Sequence, residues 1–171
     1  FLFFLHRHVI IMRLESAKLR LWGRRGDDRP DAERSDDVEF GLEPVWKNIV
    51  VLGRGVGLAT LAPLSQLAAE AGIHVTAILS ARRPEIIMSR DLFEGLGADI
   101  VTVCDSDGSS AVENVEEILE GLIADGKADA FFTCGSNRLL MLMKRLGKTR
   151  HVPGEVAMEQ IMCCGLGACY V

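Results

Sequence analysis

Apolar residues along this chain fall into short β-branched runs that alternate with longer stretches of helical spacing, and the alternation begins at Lys47. Asn48-Ile49-Val50-Val51-Leu52 is a continuous run that stops abruptly at Gly53. Such a run reads as a strand buried on both faces of a parallel sheet. Residues 58–71 place Leu61, Leu64, Ala68 and Ala71 on one side and meet Gly72, which predicts a helix and its stop. A second strand is expected over 74–79, a helix over 88–96 closed by Gly97, and a third strand over 99–104. Residues 114–124 are amphipathic, with Val115, Ile118, Leu119 and Ile123 inward and Glu116, Glu117 and Glu120 outward. A fourth strand over 128–133, a helix over 137–146 and a last strand over 155–158 complete the series. Strand and helix alternate with short connections. The expected fold is therefore α/β, a doubly wound parallel sheet of five strands with helices on both faces.

The pattern before Lys47 is different. Residues 23–37 contain no Val, Ile, Leu or aromatic residue, so nothing there offsets chain entropy and a mobile linker is expected. Residues 9–22 suit either a strand or a short helix. The apolar run Phe1-Leu2-Phe3-Phe4-Leu5 gives way to His6, Arg7 and His8, far short of the roughly 18 apolar residues that span a bilayer. Its basic residues follow the apolar stretch, whereas a signal peptide carries them in front. The chain begins with Phe, and the reading is of a fragment. The expected organisation is an irregular extension and linker over 1–46, an α/β domain over 47–160, and a C-terminal cysteine segment over 161–171.

Charge and cysteines narrow the chemistry. A formal net charge of −5 argues against a nucleic-acid surface, which carries a basic excess. Five cysteines, three of them crowded at the C-terminus, make a poor disulfide framework. They suit a reducing, cytoplasmic setting with the terminal group reserved for metal.

Four constellations carry candidate chemistry. Gly53-Arg54-Gly55-Val56-Gly57 stands where the first strand passes into the first helix. Glycines there permit a tight turn and close approach of backbone amides to a pyrophosphate at the positive end of the helix. A plain strand–helix turn is the alternative, and the spacing G-x-G-x-G departs from the dinucleotide fingerprint G-x-G-x-x-G. At the end of the second strand stands Ser80-Ala81-Arg82-Arg83, where an NAD site would place an acidic residue. Serine and arginine suit a 2′-phosphate, and solvated loop arginines are an equal alternative. Cys134-Gly135-Ser136-Asn137-Arg138 follows the fourth strand, at the sheet edge where such folds bind ligands. Cys164-Gly165-Leu166-Gly167-Ala168-Cys169 opens the C-x4-C-x2-C pattern of plant-type [2Fe–2S] proteins, with Cys163 alongside.

Together these motifs resemble the ferredoxin-reductase superfamily, and within it the iron–sulfur electron-transfer subunits of dihydroorotate dehydrogenase. The resemblance covers roughly residues 48–171. It also draws on Asp105-Ser106-Asp107-Gly108-Ser109 and on Met158-Glu159-Gln160-Ile161-Met162 before the cysteines. It implies that NAD(P)H reduces FAD held by a separate barrel domain, and that single electrons pass through a [2Fe–2S] cluster to a flavin-containing dehydrogenase subunit. It implies that Gly53, Gly55, Val56 and Gly57 line the pyrophosphate and that Ser80 and Arg82 lie near the adenosine ribose. Cys134, the candidate catalytic residue, and Gly135 would lie near the nicotinamide, and Cys164 and Cys169 would be cluster ligands. Departures are the missing FAD-barrel pattern before Lys47, Thr60 where the family has proline, Cys163 where it has a small residue, and two absent cluster cysteines. The expectation is a reductase component that does not complete the relay alone. A non-catalytic NAD(P)-binding remnant is the alternative. A zinc site using Cys163, Cys164, Cys169 and His151 is a third reading, disfavoured because it requires strained geometry.

Overall fold

The computed structural model of the protein describes residues 8–13, 19–22 and 42–160. Seven strands form one sheet in the order β2-β1-β7-β6-β3-β4-β5. They are β1 (His8–Arg13), β2 (Leu19–Trp22), β3 (Asn48–Arg54), β4 (His74–Ala81), β5 (Asp99–Cys104), β6 (Ala130–Cys134) and β7 (Gly154–Gln160). The helices are α1 (Gly57–Glu70), α2 (Arg90–Gly95), α3 (Val112–Ala124) and α4 (Asn137–Arg150).

Strands β3 to β7 are mutually parallel and are the five expected from the pattern. The central strand shows why its sequence is apolar throughout. Ile49 and Val51 enter one core with Leu58, Leu61, Leu64 and Phe93, beneath α1 and α2. Val50 and Leu52 enter the other with Val115, Leu119, Leu139 and Met143, beneath α3 and α4. Successive side chains of a strand face opposite ways, so a strand covered on both faces must be apolar at every position. The helices thus split two and two across the sheet, as double winding requires.

Beyond shifts of a few residues at element ends, such as α4 running on to Arg150, two expectations differ. The helix expected over 88–96 is shorter, Arg90–Gly95, and is preceded by a separate 3-10 turn at Pro84–Ile86. Ser89 between them has φ +61, a left-handed conformation that interrupts a continuous helix. The extension over 1–46, expected to be irregular with residues 9–22 undecided, holds the two strands β1 and β2. Strand β1 pairs antiparallel with β7, from His8↔Gln160 to Arg13↔Glu155, and β2 pairs antiparallel with β1. The physical reason is backbone pairing. The outer edge of β7 offers unpaired N–H and C=O groups that an added strand satisfies, whatever its side-chain pattern. The linker over 23–37 and the cysteine segment over 161–171 lie outside the described residues.

The start of the central strand is fixed from the start of the neighbouring strand β6. Asp129 accepts from the backbone N–H groups of Lys47 and Asn48, at 2.8 and 2.9 Å. Trp46 packs edge-on against Phe132 at a centroid distance of 5.9 Å, closing the α1 face below the strand ends. No helix among the described residues is long and apolar enough to cross a membrane.

Candidate nucleotide site at the switch point of the sheet

Strand order reverses between β3 and β6: the chain moves outward from β3 through β4 to β5, then returns to β6 on the other side. Ligands of open α/β sheets bind in the crevice at the carboxyl ends of strands at such a point. Two of the sequence motifs meet there. Register pairs Gly53 with Cys134 on one side and Arg54 with Ser80 on the other.

The glycine loop turns because Gly55 has φ +56, a conformation glycine adopts without steric cost. Helix α1 then starts at Gly57, and Leu58 and Ala59 donate back to the carbonyls of Gly55 and Val56 at 3.1 and 2.9 Å. The N–H groups of Val56 and Gly57 have no acceptor among the described residues. Free amides at the positive end of a 14-residue helix favour an anion. Val56 itself projects outward, 44% exposed.

The second loop lies directly against the first. A β-carbon at Gly57 would come within 2.5 Å of the Cys134 carbonyl oxygen, and one at Gly135 within 2.3 Å of the Arg54 carbonyl oxygen. Gly135 also has φ +102. Both positions therefore need glycine, because backbone meets backbone with no room for a side chain. Cys134 is buried, with its side chain in the core on the α1 face.

A charged network joins the loops across the strand ends. Arg54 reaches over the end of β4, donating to the Ser80 hydroxyl at 2.9 Å and to both carboxylate oxygens of Asp105, at 3.2 and 2.5 Å. Arg138, in the first turn of α4, donates to Asp105 at 2.9 Å and to the Ser110 hydroxyl at 3.0 Å. The Ser110 hydroxyl itself donates to Asp105. Ser80 is fully buried beneath this network, while Arg82 and Arg83 are exposed beyond it. Hydrogen bonds from Arg54 and Ser110, with the charges of both arginines, hold the Asp105 carboxyl far below the usual carboxylate range. Asp107 is also lowered, by the Ser109 hydroxyl and backbone amide that it accepts from. Burial pushes the Cys104 thiol up, with Asp107, Glu85 and Asp105 adding to it, so this cysteine is a poor nucleophile.

A depressed carboxyl pKa contributes stability that is full above the unfolded value of about 4 and is lost progressively as pH falls from there through the lowered folded value. Asp105→Asn is therefore expected to unfold more readily than the parent chain at pH 7. The difference should shrink as pH falls below about 4. Urea midpoints at several pH values check this, and a gap of constant size would contradict the assignment to the Asp105 charge.

The motifs single out the glycine loop, Ser80, Arg82, Cys134 and Gly135, and the fold brings all of them to the same end of the sheet. Asp105 enters the sequence reading only through the resemblance, and nothing there pairs it with Arg54 and Arg138. A charged residue inside a glycine loop, at Arg54, is the one signal that could point to the network. Cys164 and Cys169 lie outside the described residues.

No family model matches the chain. Curated relatives do. The chain is 27% identical over 129 residues to the probable dihydroorotate dehydrogenase B (NAD(+)) electron transfer subunit of Methanocaldococcus jannaschii, covering 75% of this chain and 49% of that one. It is 31% identical over 130 residues to the subunit of the same name from Methanothermobacter thermautotrophicus, covering 75% and 48%. The chain thus spans about half the length of these relatives. Among solved structures it is similar to an NADH-dependent reduced ferredoxin-NADP oxidoreductase studied for flavin-based electron bifurcation. That match has a TM-score of 0.56 and 30% identity, over 71% of this chain and 44% of the other. The resemblance carried by the motifs is thus borne out by both sequence and structure.

Proposed function

We propose that this chain is the nicotinamide-nucleotide-binding part of an electron-transfer reductase subunit of the dihydroorotate dehydrogenase B type. The observation that carries the reading is the convergence at the switch point of the Gly53–Gly57 loop, the unpaired amides of α1 and the Cys134-Gly135 loop. The names of the relatives support the same role.

In this reading the amides after Gly55 hold the pyrophosphate of NAD(P)H, and Gly53 and Gly57 line it through backbone that can seat tightly against Leu58 and the Cys134 carbonyl. Val56 flanks the phosphates from outside. Ser80 orients Arg54 beneath the adenosine ribose, with Arg82 beside it. Cys134 and Gly135 lie near the nicotinamide. The buried Cys134 acts there through its small volume and backbone, shaping the floor against which a ring can lie. The network around Asp105 fixes the height of the glycine loop relative to α4.

The whole protein passes electrons from NAD(P)H through FAD and a [2Fe–2S] cluster to a flavin-containing dehydrogenase subunit in the cytoplasm. FAD supplies the hydride acceptor when bound, and its domain is sought outside residues 47–160. The cysteine donor set of Cys164 and Cys169, separated by four small or apolar residues, is chemically suited to iron–sulfur ligation. Positioning and insulation are what a protein contributes to such a relay.

The test is anaerobic purification, with the visible spectrum, iron and flavin contents, and the fluorescence of added NADH or NADPH recorded together. Flavin and iron bands bleached by the nucleotide support the whole relay. A colourless chain that still alters nucleotide fluorescence supports the nucleotide-binding part alone. A colourless chain with no effect on either nucleotide contradicts the proposal.

A further inference from the structure

Arg138 differs from the other paired arginines of α4, and the role inferred for it rests on the proposed binding of a nicotinamide nucleotide. Arg145 and Arg150 each have a carboxylate of α3 to themselves, Glu116 at 2.6 Å and Glu120 at 2.9 Å. Arg138 instead shares Asp105 with Arg54, so two guanidinium groups from two loops meet a single carboxylate. The two are engaged to different degrees. Arg54 commits both terminal nitrogens to Ser80 and Asp105, and its side chain is 19% exposed. Arg138 uses Nη2 alone, for Asp105 and the buried Ser110 hydroxyl, and its side chain is 47% exposed. Its Nε and Nη1 have no acceptor among the described residues.

Position along the helix sharpens the contrast. Arg150 stands in the last turn of α4, where the helix dipole favours a cation, whereas Arg138 stands in the first turn, where it disfavours one. No acidic residue shares that turn, and the Ser136 side chain does not cap it. This end of α4 also lies against the glycine loop, since a β-carbon at Gly135, three residues before Arg138, would meet the Arg54 carbonyl oxygen. Asp107, the next carboxylate along the β5–α3 loop, is turned to Ser109. One carboxylate against two guanidinium groups and the positive ends of two helices leaves local positive charge uncompensated, in a chain whose net charge is −5.

We infer that Arg138 is a second contact for the nucleotide's pyrophosphate. The amides after Gly55 hold it from α1, and the donors that Arg138 leaves free hold it from α4, while Asp105 and Ser110 keep the guanidinium in place. Guanidinium–phosphate hydrogen bonds are charge-assisted and strong, and a side chain already anchored through one nitrogen loses little further freedom in making them. Any ligand that carries the pyrophosphate makes this contact, ADP-ribose as well as NAD+.

Calorimetric titration of the full chain with NAD+ and with ADP-ribose, at two ionic strengths, tests this for the parent and the variants Arg138→Ala, Arg138→Lys and Arg145→Ala. Arg138→Ala is expected to weaken both ligands alike by about 10- to 100-fold, the size of a charge-assisted hydrogen bond. Arg138→Lys keeps the charge and recovers part of the loss, and Arg145→Ala changes neither affinity. Salt weakens binding to the parent more steeply than binding to Arg138→Ala, because one phosphate-facing charge has gone. In the alanine variant Asp105 keeps Arg54 and Ser110 as partners, so the fold is retained, and thermal unfolding of each variant confirms it. Equal affinities of the parent and Arg138→Ala overturn the inference and leave the nucleotide site standing. A loss with unchanged salt dependence and no rescue by lysine also overturns it, making Arg138 a brace for the loop alone. A parent that binds neither ligand removes the nucleotide-binding reading as well.

Discussion

Replacing Gly135 with alanine is expected to lower stability by about 2–6 kcal/mol and to weaken nucleotide binding by more than about tenfold. Two costs combine. Its φ of +102 lies where L side chains are strained, at about 1–3 kcal/mol. Its β-carbon would also meet the Arg54 carbonyl oxygen at 2.3 Å, and relief of a backbone overlap of that kind costs about 1–3 kcal/mol more. The only relief is to push the two loops apart, which opens the floor of the site. Gly55→Ala is the control. It has a left-handed φ of +56 with nothing within 4 Å of the new carbon, so it should cost about 1–2 kcal/mol. Urea unfolding of the two variants side by side checks the difference. Equal losses would show that the close approach of the loops contributes nothing.

Phe132→Ala should have the other large effect, a loss of about 3–5 kcal/mol. Phe132 is fully buried in β6, in the α1-side core, where its ring meets Trp46 edge-on. Removing it takes away both the apolar area and the edge-to-face pairing, and leaves a void that tight packing fills poorly. Domain stabilities of about 5–15 kcal/mol make such a loss a large share of the total. Because β6 carries Cys134 and Gly135 at its end, nucleotide affinity is expected to fall with it. Phe132→Leu, which keeps most of the volume, should recover more than half of the stability. Matching losses for the two variants would contradict a packing role.

How much of the fold can be read from the sequence depends on the range of the forces. Strand β3 and helix α1 are legible because burial on two faces forces every residue of 49–52 to be apolar, and burial on one face forces the spacing of Leu61, Leu64 and Ala68. The glycine loop is legible because its turn needs glycine locally. Strands β1 and β2 are not, since β1 joins the sheet through backbone bonds to β7, a strand far away in sequence, and β2 joins only through β1. The Asp105 network is hidden for the same reason. Its partners Arg54 and Arg138 stand 51 and 33 residues away and meet only when β3, β5 and α4 are brought to one end of the sheet. The close approach of Gly57 to Cys134 is likewise a property of strand order. The sequence shows that each is small, and only the fold says why.

Ser80 and Arg82 separate in a way that composition alone does not anticipate. They are two residues apart at the end of one strand, yet Ser80 is sealed beneath Arg54 and Arg82 is exposed to solvent. Ser80 still lies within the strand and is covered by its neighbours, whereas Arg82 lies past the strand's last residue, Ala81, where the chain bends.

A nicotinamide nucleotide bound where the β3 and β6 loops meet would perturb the backbone amides there. Backbone-amide nuclear magnetic resonance spectra of the full chain are therefore recorded during titration with NAD+ and, separately, NADP+. The largest shifts are expected at Gly55, Val56, Gly57 and Gly135, with smaller ones at Arg82. Shifts confined to other parts of the sheet, or none at millimolar nucleotide, would contradict that placement.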